Sequence, residues 1–152
     1  MDVSLIIPCF NEAKNLPVLI SRCKDLIEKY PVEIILVDNG STDKTIDIVK
    51  SFIQDPALET EAKFNYTKIK IKYIDNYSPG KALNVGVKHS SNKYVLIISA
   101  HCVLNKINIK NHIAQLKKYV CVFGNQIPIW NGKKITKRYL WSNFINKKVE
   151  NM

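Results

Sequence analysis

At 152 residues and 46% hydrophobic content, the chain has the bulk for one domain with a real core, which excludes intrinsic disorder. No run approaches the roughly 20 apolar residues of a membrane span, and the N-terminus enters a strand without a cationic leader, so the expectation is a cytoplasmic protein. The net charge of +10 is uneven: residues 1–100 carry 13 Lys+Arg against 12 Asp+Glu, and residues 101–152 carry 10 against Glu150 alone.

Val3 to Pro8 reads as a first strand, left directly by the loop Cys9-Phe10-Asn11-Glu12. A helix follows from Leu16 to Tyr30, where Leu16, Leu19, Ile20, Cys23, Leu26, Ile27 and Tyr30 recur at helical spacing, Asn15 can cap and Pro17 is tolerated in the first turn. The nearly continuous apolar run from Val32 to Val37 is that of a central parallel strand covered on both faces. Asp38 ends it, Asn39-Gly40 permits a tight turn, and Ser41 or Asp43 can accept from the free amides of a second helix over Asp43 to Gln54. In an open α/β sheet this edge is where ligands bind.

Residues 56–68 read as a surface connection, and Ile69 to Ile74 as a third strand whose alternation places it near the sheet edge. After the loop Asp75 to Gly80, a short helix spans Lys81 to Ser90, with Gly86 allowing close packing on the sheet. Tyr94 to Ser99 reads as another buried strand, ending at Ser99-Ala100-His101-Cys102. Then come a helix over Asn108 to Tyr119, a strand over Val120 to Phe123, a turn-rich stretch through Asn131-Gly132, and a last element over Thr136 to Val149 that mixes aromatics with lysines. Strand and helix alternate throughout, which predicts an α/β class with a mostly parallel sheet flanked by helices and right-handed crossovers. One domain spans 1–152, with a basic amphipathic segment over 131–152. The four cysteines, Cys9, Cys23, Cys102 and Cys121, lack paired short spacing and read as reduced, buried thiols. The basic block could meet anionic lipid headgroups, nucleic acid or a phosphorylated ligand; a solvated helix face is the favoured reading for most of its lysines.

Three stretches, in order, resemble the family 2 glycosyltransferases of GT-A fold, which move a sugar from a nucleotide diphosphate to an acceptor. VSLIIPCFNEAKNL is similar to the opening strand and P-x-x-N-E loop, VEIILVDNGSTDKT to the second strand with its D-x-S-x-D-x-T loop, and GKALNVGVKHSSNKYVLIIS to the segment before the metal motif. Three pieces in matching order are far more specific than any one. The resemblance implies a Rossmann-like GT-A domain, incomplete at its C-terminal side. It also implies that Pro8, Phe10, Asn11 and Glu12 line the base and ribose, and that Asp38 meets the base edge with Asn39 and Gly40 close by. Lys81 would lie near the diphosphate, beside helix amides that favour anions. The helix-cap and core readings of Asp38 and Phe10 stay open at this point.

Where the family has D-x-D, this chain reads Ser99-Ala100-His101. Imidazole ligates Mn²⁺ but is a poor partner for Mg²⁺, so the divalent cation the family implies is weakened or altered, with His101 as its one candidate ligand. The Ser-Ala-His variant, and FGNQIP at 123–128 with Asn125 where an arginine would stand, are similar to rhamnosyltransferase-like members. A zinc reading of His101 and Cys102 lacks further ligands at the right spacing, and His89 and His112 read as surface residues on helices.

The expected ligand is a UDP, dTDP or GDP sugar, with a saccharide or lipid-linked acceptor in cell-surface polysaccharide synthesis. After Asp75 the only acid is Glu150, so the base that would deprotonate the acceptor is absent and the chain alone is expected to transfer little or no sugar. The alternatives are a non-catalytic nucleotide-sugar-binding fragment or pseudoenzyme, and a basic protein binding polyanions or membrane through residues 133–149. Peripheral contact with the inner face of the membrane fits that segment, and exposure of Tyr139, Trp141 and Phe144 would promote self-association. No nucleic acid partner is expected.

Overall fold

The computed structural model describes residues 3–29, 32–54, 69–105, 107–124 and 127–135. The chain falls into two compact units, Met1–Ile107 and Asn108–Met152. In the first, β1 (Val3–Cys9), β2 (Val32–Asp38), β3 (Ile69–Tyr73) and β4 (Tyr94–Ile97) form one sheet in the order β3-β2-β1-β4. Every pairing is parallel. Helices α1 (Leu16–Lys29), α2 (Thr45–Gln54) and α3 (Pro79–Lys88) lie between the strands in sequence, as parallel pairing requires.

The two central strands are buried along nearly their whole length, Leu5, Ile6, Ile7, Ile35, Leu36 and Val37 almost completely. Continuous apolar sequence and burial on both faces are the same fact seen twice. The helix α1 turns Leu16, Leu19, Ile20 and Cys23 inward, the spacing of one helical face. Helix α2 starts at Thr45 rather than Asp43, because Asp43 Oδ1 accepts from Thr45 N at 2.9 Å and so stands outside the helix as its cap. Ser78 caps α3, accepting from Lys81 N, with Pro79 as the first helical residue, so this helix begins two residues earlier than the sequence suggests. A Cβ on Gly86 would stand 2.4 Å from Ile6 Cγ2, so glycine is what lets α3 lie against β1.

Strand β3 is at the sheet edge and half-buried, as its alternation predicts. Strand β4 differs from the expected buried strand. It lies at the other edge among the described residues, with Val95 and Ile97 exposed at alternate positions. An apolar run cannot reveal how many of its sides have neighbours. Beyond Ile97 the chain still follows β1, through Ile98 N to Ile6 O at 3.0 Å and Ala100 N to Pro8 O at 3.4 Å.

In the second unit α4 (Ile109–Gln115) is capped by Asn108, and hydrogen-bonded turns carry on to Tyr119. The strand expected over Val120 to Phe123 does not form. Val120 and Phe123 are exposed with no strand partner among the described residues, and β propensity is realised only on a sheet. The short strands β5 (Ile129–Trp130) and β6 (Lys133–Lys134) make a hairpin through Asn131-Gly132, both at positive φ, the two-residue turn that matches strand twist. The expected element over 136–149, with Tyr139, Trp141 and Phe144, and Asn125 of the FGNQIP stretch lie outside the described residues. Among those described, no helix is long and apolar enough to cross a membrane.

All four cysteines are free, but only Cys9 and Cys23 are buried; Cys102 and Cys121 are exposed. Burial pushes the Cys23 thiol up to about 12, leaving it protonated and inert.

Candidate functional site

The carboxyl edge of the sheet is built by two loops that lock into each other. The loop after β1 enters through Asn11, which takes a left-handed conformation at φ 52, one that asparagine tolerates better than most residues. That turn aims Asn11 Oδ1 at the next loop, where it accepts from Thr42 N at 2.8 Å and Asp43 N at 3.3 Å. In return Asn11 N donates to Ser41 Oγ at 2.9 Å, Glu12 N to Thr45 Oγ1 at 2.8 Å and Ala13 N to Asp43 Oδ2 at 3.1 Å. The Asn-Glu pair of the first motif and the Ser, Asp and Thr of the second are therefore two halves of one clasp.

Asp38 is the post beneath it. Its carboxylate is 1% exposed, yet it is satisfied: Oδ2 accepts from Ser41 N at 2.9 Å, and Oδ1 accepts from the Ser41 hydroxyl and from Cys9 Sγ at 3.5 Å. Burial first, and then Asp38 beside it, hold the Cys9 thiol protonated far above its usual range, so Cys9 serves as a donor and not a nucleophile. The Ser41 bonds close a tight turn in which Gly40 has φ +72, and Asn39 N returns to Cys9 O at 3.1 Å. Asp43 is held below the usual carboxylate range, chiefly by the Thr45 hydroxyl.

The third loop arrives from β4. Ala100 is buried beside Pro8, Cys102 N turns back to Ser99 O at 2.9 Å, and His101 stands out at 66% side-chain exposure. Its Nδ1 lies 3.3 Å from Glu12 Oε1. Glu12 Oε2 accepts from Asn15 Nδ2 at 2.8 Å, so the side chain expected to cap α1 is used on Glu12 instead. Lys81 sits in the first turn of α3 and is paired, its Nζ at 2.7 Å from Asp75 Oδ1, and that ammonium lowers the Asp75 carboxyl. Asp75 follows Ile74, whose N bonds Asp38 O at 2.8 Å.

The residues singled out in the sequence are thus brought to one edge by different means. Pro8, Asn11, Glu12, Asp38, Asn39, Gly40, Ser99, Ala100 and His101 converge through the three loops. Phe10, half exposed, lies on the rim. Lys81 reaches the edge indirectly, through Asp75. Sequence reasoning missed Ser41, Thr42 and Thr45 as partners of the first loop, and Cys9 and Asn15 as supports. The signal that could have found them is the excess of short oxygen side chains in a loop beside an asparagine free to turn left-handed.

These loops belong to a known design. The family model for glycosyl transferase family 2 matches residues 4–151. The chain belongs to that family. A dolichyl N-acetyl-alpha-D-glucosaminyl phosphate 3-beta-D-2,3-diacetamido-2,3-dideoxy-beta-D-glucuronosyltransferase of Methanococcus voltae is 33% identical over 73% of this chain and 32% of its own length. An undecaprenyl-phosphate 4-deoxy-4-formamido-L-arabinose transferase of Serratia proteamaculans is 32% identical over 64% of this chain and 28% of its own. The chain thus spans about a third or less of the curated relatives it matches. Among solved structures, Staphylococcus aureus TarS 1–349 in complex with UDP-GlcNAc superposes with a TM-score of 0.60 at 25% identity, over 78% of this chain and 32% of that one. The parallel sheet flanked by helices agrees with the GT-A expectation.

The family's divalent cation can be weighed against the donors present. Among the described residues no group of three or more His, Cys, Asp or Glu is placed to share an ion. The strand end offers one imidazole with a carboxylate behind it. A nitrogen donor of that kind suits a borderline transition metal better than Mg²⁺, and His101 is the residue that would hold it.

Proposed function

We propose that this chain is the donor-binding portion of a glycosyltransferase, holding a UDP, dTDP or GDP sugar at the carboxyl edge of its sheet for transfer to a saccharide or lipid-linked acceptor in cell-surface polysaccharide synthesis. The observation that carries the reading is the clasp of Asn11–Ala13 with Ser41–Thr45 over the buried Asp38, with Phe10 and His101 exposed on its rim. A rigid polar rim at a parallel-strand edge suits a nucleotide, with Phe10 as a stacking face.

Asp38 acts through the turn it holds, because its oxygens are occupied and buried, and the half-buried Asn39 and exposed Gly40 present the loop to the base. Lys81 exchanges Asp75 for diphosphate oxygens at little cost, since exposed ion pairs are weak. A divalent ion at His101, when bound, neutralises charge on the departing diphosphate. Two relatives carry a polyprenyl phosphate in their names, which favours a lipid-linked acceptor. Ser99-Ala100-His101, by its likeness to rhamnosyltransferase-like members, favours a deoxysugar donor.

A second reading is a portion that binds donor but transfers nothing alone. It is favoured by the run from Asn76 to Val149, which contains no Asp or Glu to deprotonate an acceptor. Calorimetric titration of UDP, dTDP and GDP sugars, with and without Mn²⁺, tests the first reading: one donor class should give saturable heat, and silence across the panel rejects it. Acceptor-dependent sugar release by this chain rejects the second.

A further inference from the structure

We propose that Glu12 is a positioning residue for His101: its carboxylate holds the imidazole as the Nδ1–H tautomer and leaves the Nε2 lone pair for a divalent transition metal that arrives on the donor diphosphate. The metal half of this rests on the nucleotide-sugar reading; the positioning half stands on geometry alone.

Glu12 is held from both sides. Its N–H donates to Thr45 Oγ1 at 2.8 Å, and its carbonyl accepts from Asn15 N at 3.0 Å and Leu16 N at 2.9 Å, which ties it to the start of α1. The side chain is 16% exposed. Asn15 Nδ2 occupies Oε2 at 2.8 Å, so the oxygen facing His101 Nδ1 at 3.3 Å is Oε1. Across from it the ring is 66% exposed, on a segment held by the strand-end backbone at Ala100 and the Ser99–Cys102 turn.

An ionised carboxylate only accepts hydrogen bonds. The nitrogen facing it must therefore carry the proton, and in the neutral ring the other nitrogen is then the acceptor. This is how a carboxylate behind a histidine sets which nitrogen binds metal and how basic that nitrogen is. An aspartate would offer hard oxygens directly to Mg²⁺. The Glu12–His101 arrangement instead sets the carboxylate one step back and offers nitrogen, which selects Mn²⁺, Co²⁺ or Zn²⁺ over Mg²⁺.

The test is long-range ¹H–¹⁵N correlation on the histidine-labelled chain in mildly alkaline buffer, with His101 assigned by His101→Ala. In the wild type His101 should show the Nδ1–H pattern. Glu12→Ala should relax it to a mixture, and Glu12→Gln, with one acceptor oxygen to share between Asn15 Nδ2 and His101, should restore it in part. A wild-type His101 in the Nε2–H form, or one unchanged by Glu12→Ala, overturns the positioning role, and the wild-type spectrum decides even if the alanine variant does not fold. Mn²⁺ added with UDP should broaden His101 and spare His89, which lies at the amino end of the same sheet, and Glu12→Ala should weaken Mn²⁺–UDP binding about 10–100-fold. Equal affinity for Mg²⁺ and Mn²⁺, or no loss in Glu12→Ala, overturns the metal half. If UDP fails to bind in any form, the nucleotide reading falls and takes the metal half with it, while the tautomer still decides the role of Glu12.

Discussion

The two ends of the sheet use the same device for different purposes. At the amino end Glu33, 5% exposed, accepts from Ser4 Oγ at 2.5 Å, Ser91 N at 2.5 Å and Lys70 Nζ at 2.8 Å, and Lys70 also reaches His89 O and Ser91 Oγ. Everything there is closed on itself. At the carboxyl end Asp38 is as deeply buried and as well satisfied, but the loops above it carry a left-handed Asn11, an exposed Phe10 and an exposed His101. A buried carboxylate with full partners is therefore a strut wherever it stands. What sets the carboxyl end apart is the exposed phenyl ring and imidazole beside the strut, and under the proposed function substitutions at the two ends should separate stability from binding.

The largest separation is expected at Asp38. Asp38→Ala leaves Ser41 N, the Ser41 hydroxyl and the Cys9 thiol without their acceptor, so the turn opens and the calorimetric heat with nucleotide sugar should vanish; an unchanged isotherm would contradict the placement of the site. Glu33→Ala should do the opposite. It should cost about 1–3 kcal/mol in chemical denaturation, the scale of leaving the Ser4 hydroxyl and Ser91 amide without their buried acceptor, with donor affinity of the folded fraction unchanged. Burial alone would raise the Glu33 carboxyl, but Lys70, Ser4 and the Ser91 amide outweigh it and hold it at about 2. A carboxyl lowered on folding stabilises above its unfolded value. That contribution is full above about pH 5 and lost as pH falls toward 2. Urea midpoints should therefore fall between about pH 5 and pH 2 in the wild type, with a shallower fall in Glu33→Ala.

Asn11 tests the clasp with a smaller effect. Asn11→Ala removes acceptors for Thr42 N and Asp43 N and puts a Cβ residue with no local hydrogen bond at φ 52, at about 1–3 kcal/mol. Asn11→Asp keeps an oxygen for the same amides and should recover most of that loss and the donor affinity. Equal damage from both would mean that the amide nitrogen of Asn11, not its oxygen, is what the site uses.

The strands and their order of burial were legible because parallel central strands need apolar residues on both faces, and Val3–Cys9 and Val32–Asp38 supply them. Gly86 and the edge character of β3 were legible for equally local reasons. Partner choice was not. Asn11 bonds residues about thirty positions away and Glu12 meets His101 across 89, and no local pattern says which of several oxygens a loop will face. The motif residues were recognised, but not the bonds among them by which Asn11 and Asp38 hold the loops together. The apolar runs Tyr94–Ser99 and Val120–Phe123 misled for one reason: such runs report what would gain from burial, and neighbours decide whether it is covered.

The smallest effect is expected at Gly86, where the two ends meet. Helix α3 starts at the carboxyl edge with Ser78 and Lys81 and finishes at the amino edge, where His89 O and Ser91 receive Lys70. A methyl at position 86 would stand 2.4 Å from the Cγ2 of Ile6, a fully buried β-branched side chain of the core, so α3 and β1 must move apart or Ile6 repack. Overpacking of this kind costs about 1–3 kcal/mol, and alanine returns about 1 kcal/mol of helix propensity. The net loss should be about 1 kcal/mol. Unlike the other substitutions, Gly86→Ala should move both ends together, with a modest loss of stability and a loss of donor affinity of a few-fold through Lys81. If stability falls while affinity holds, Lys81 lies outside the donor site and the diphosphate is met by the loops after β1, β2 and β4 alone.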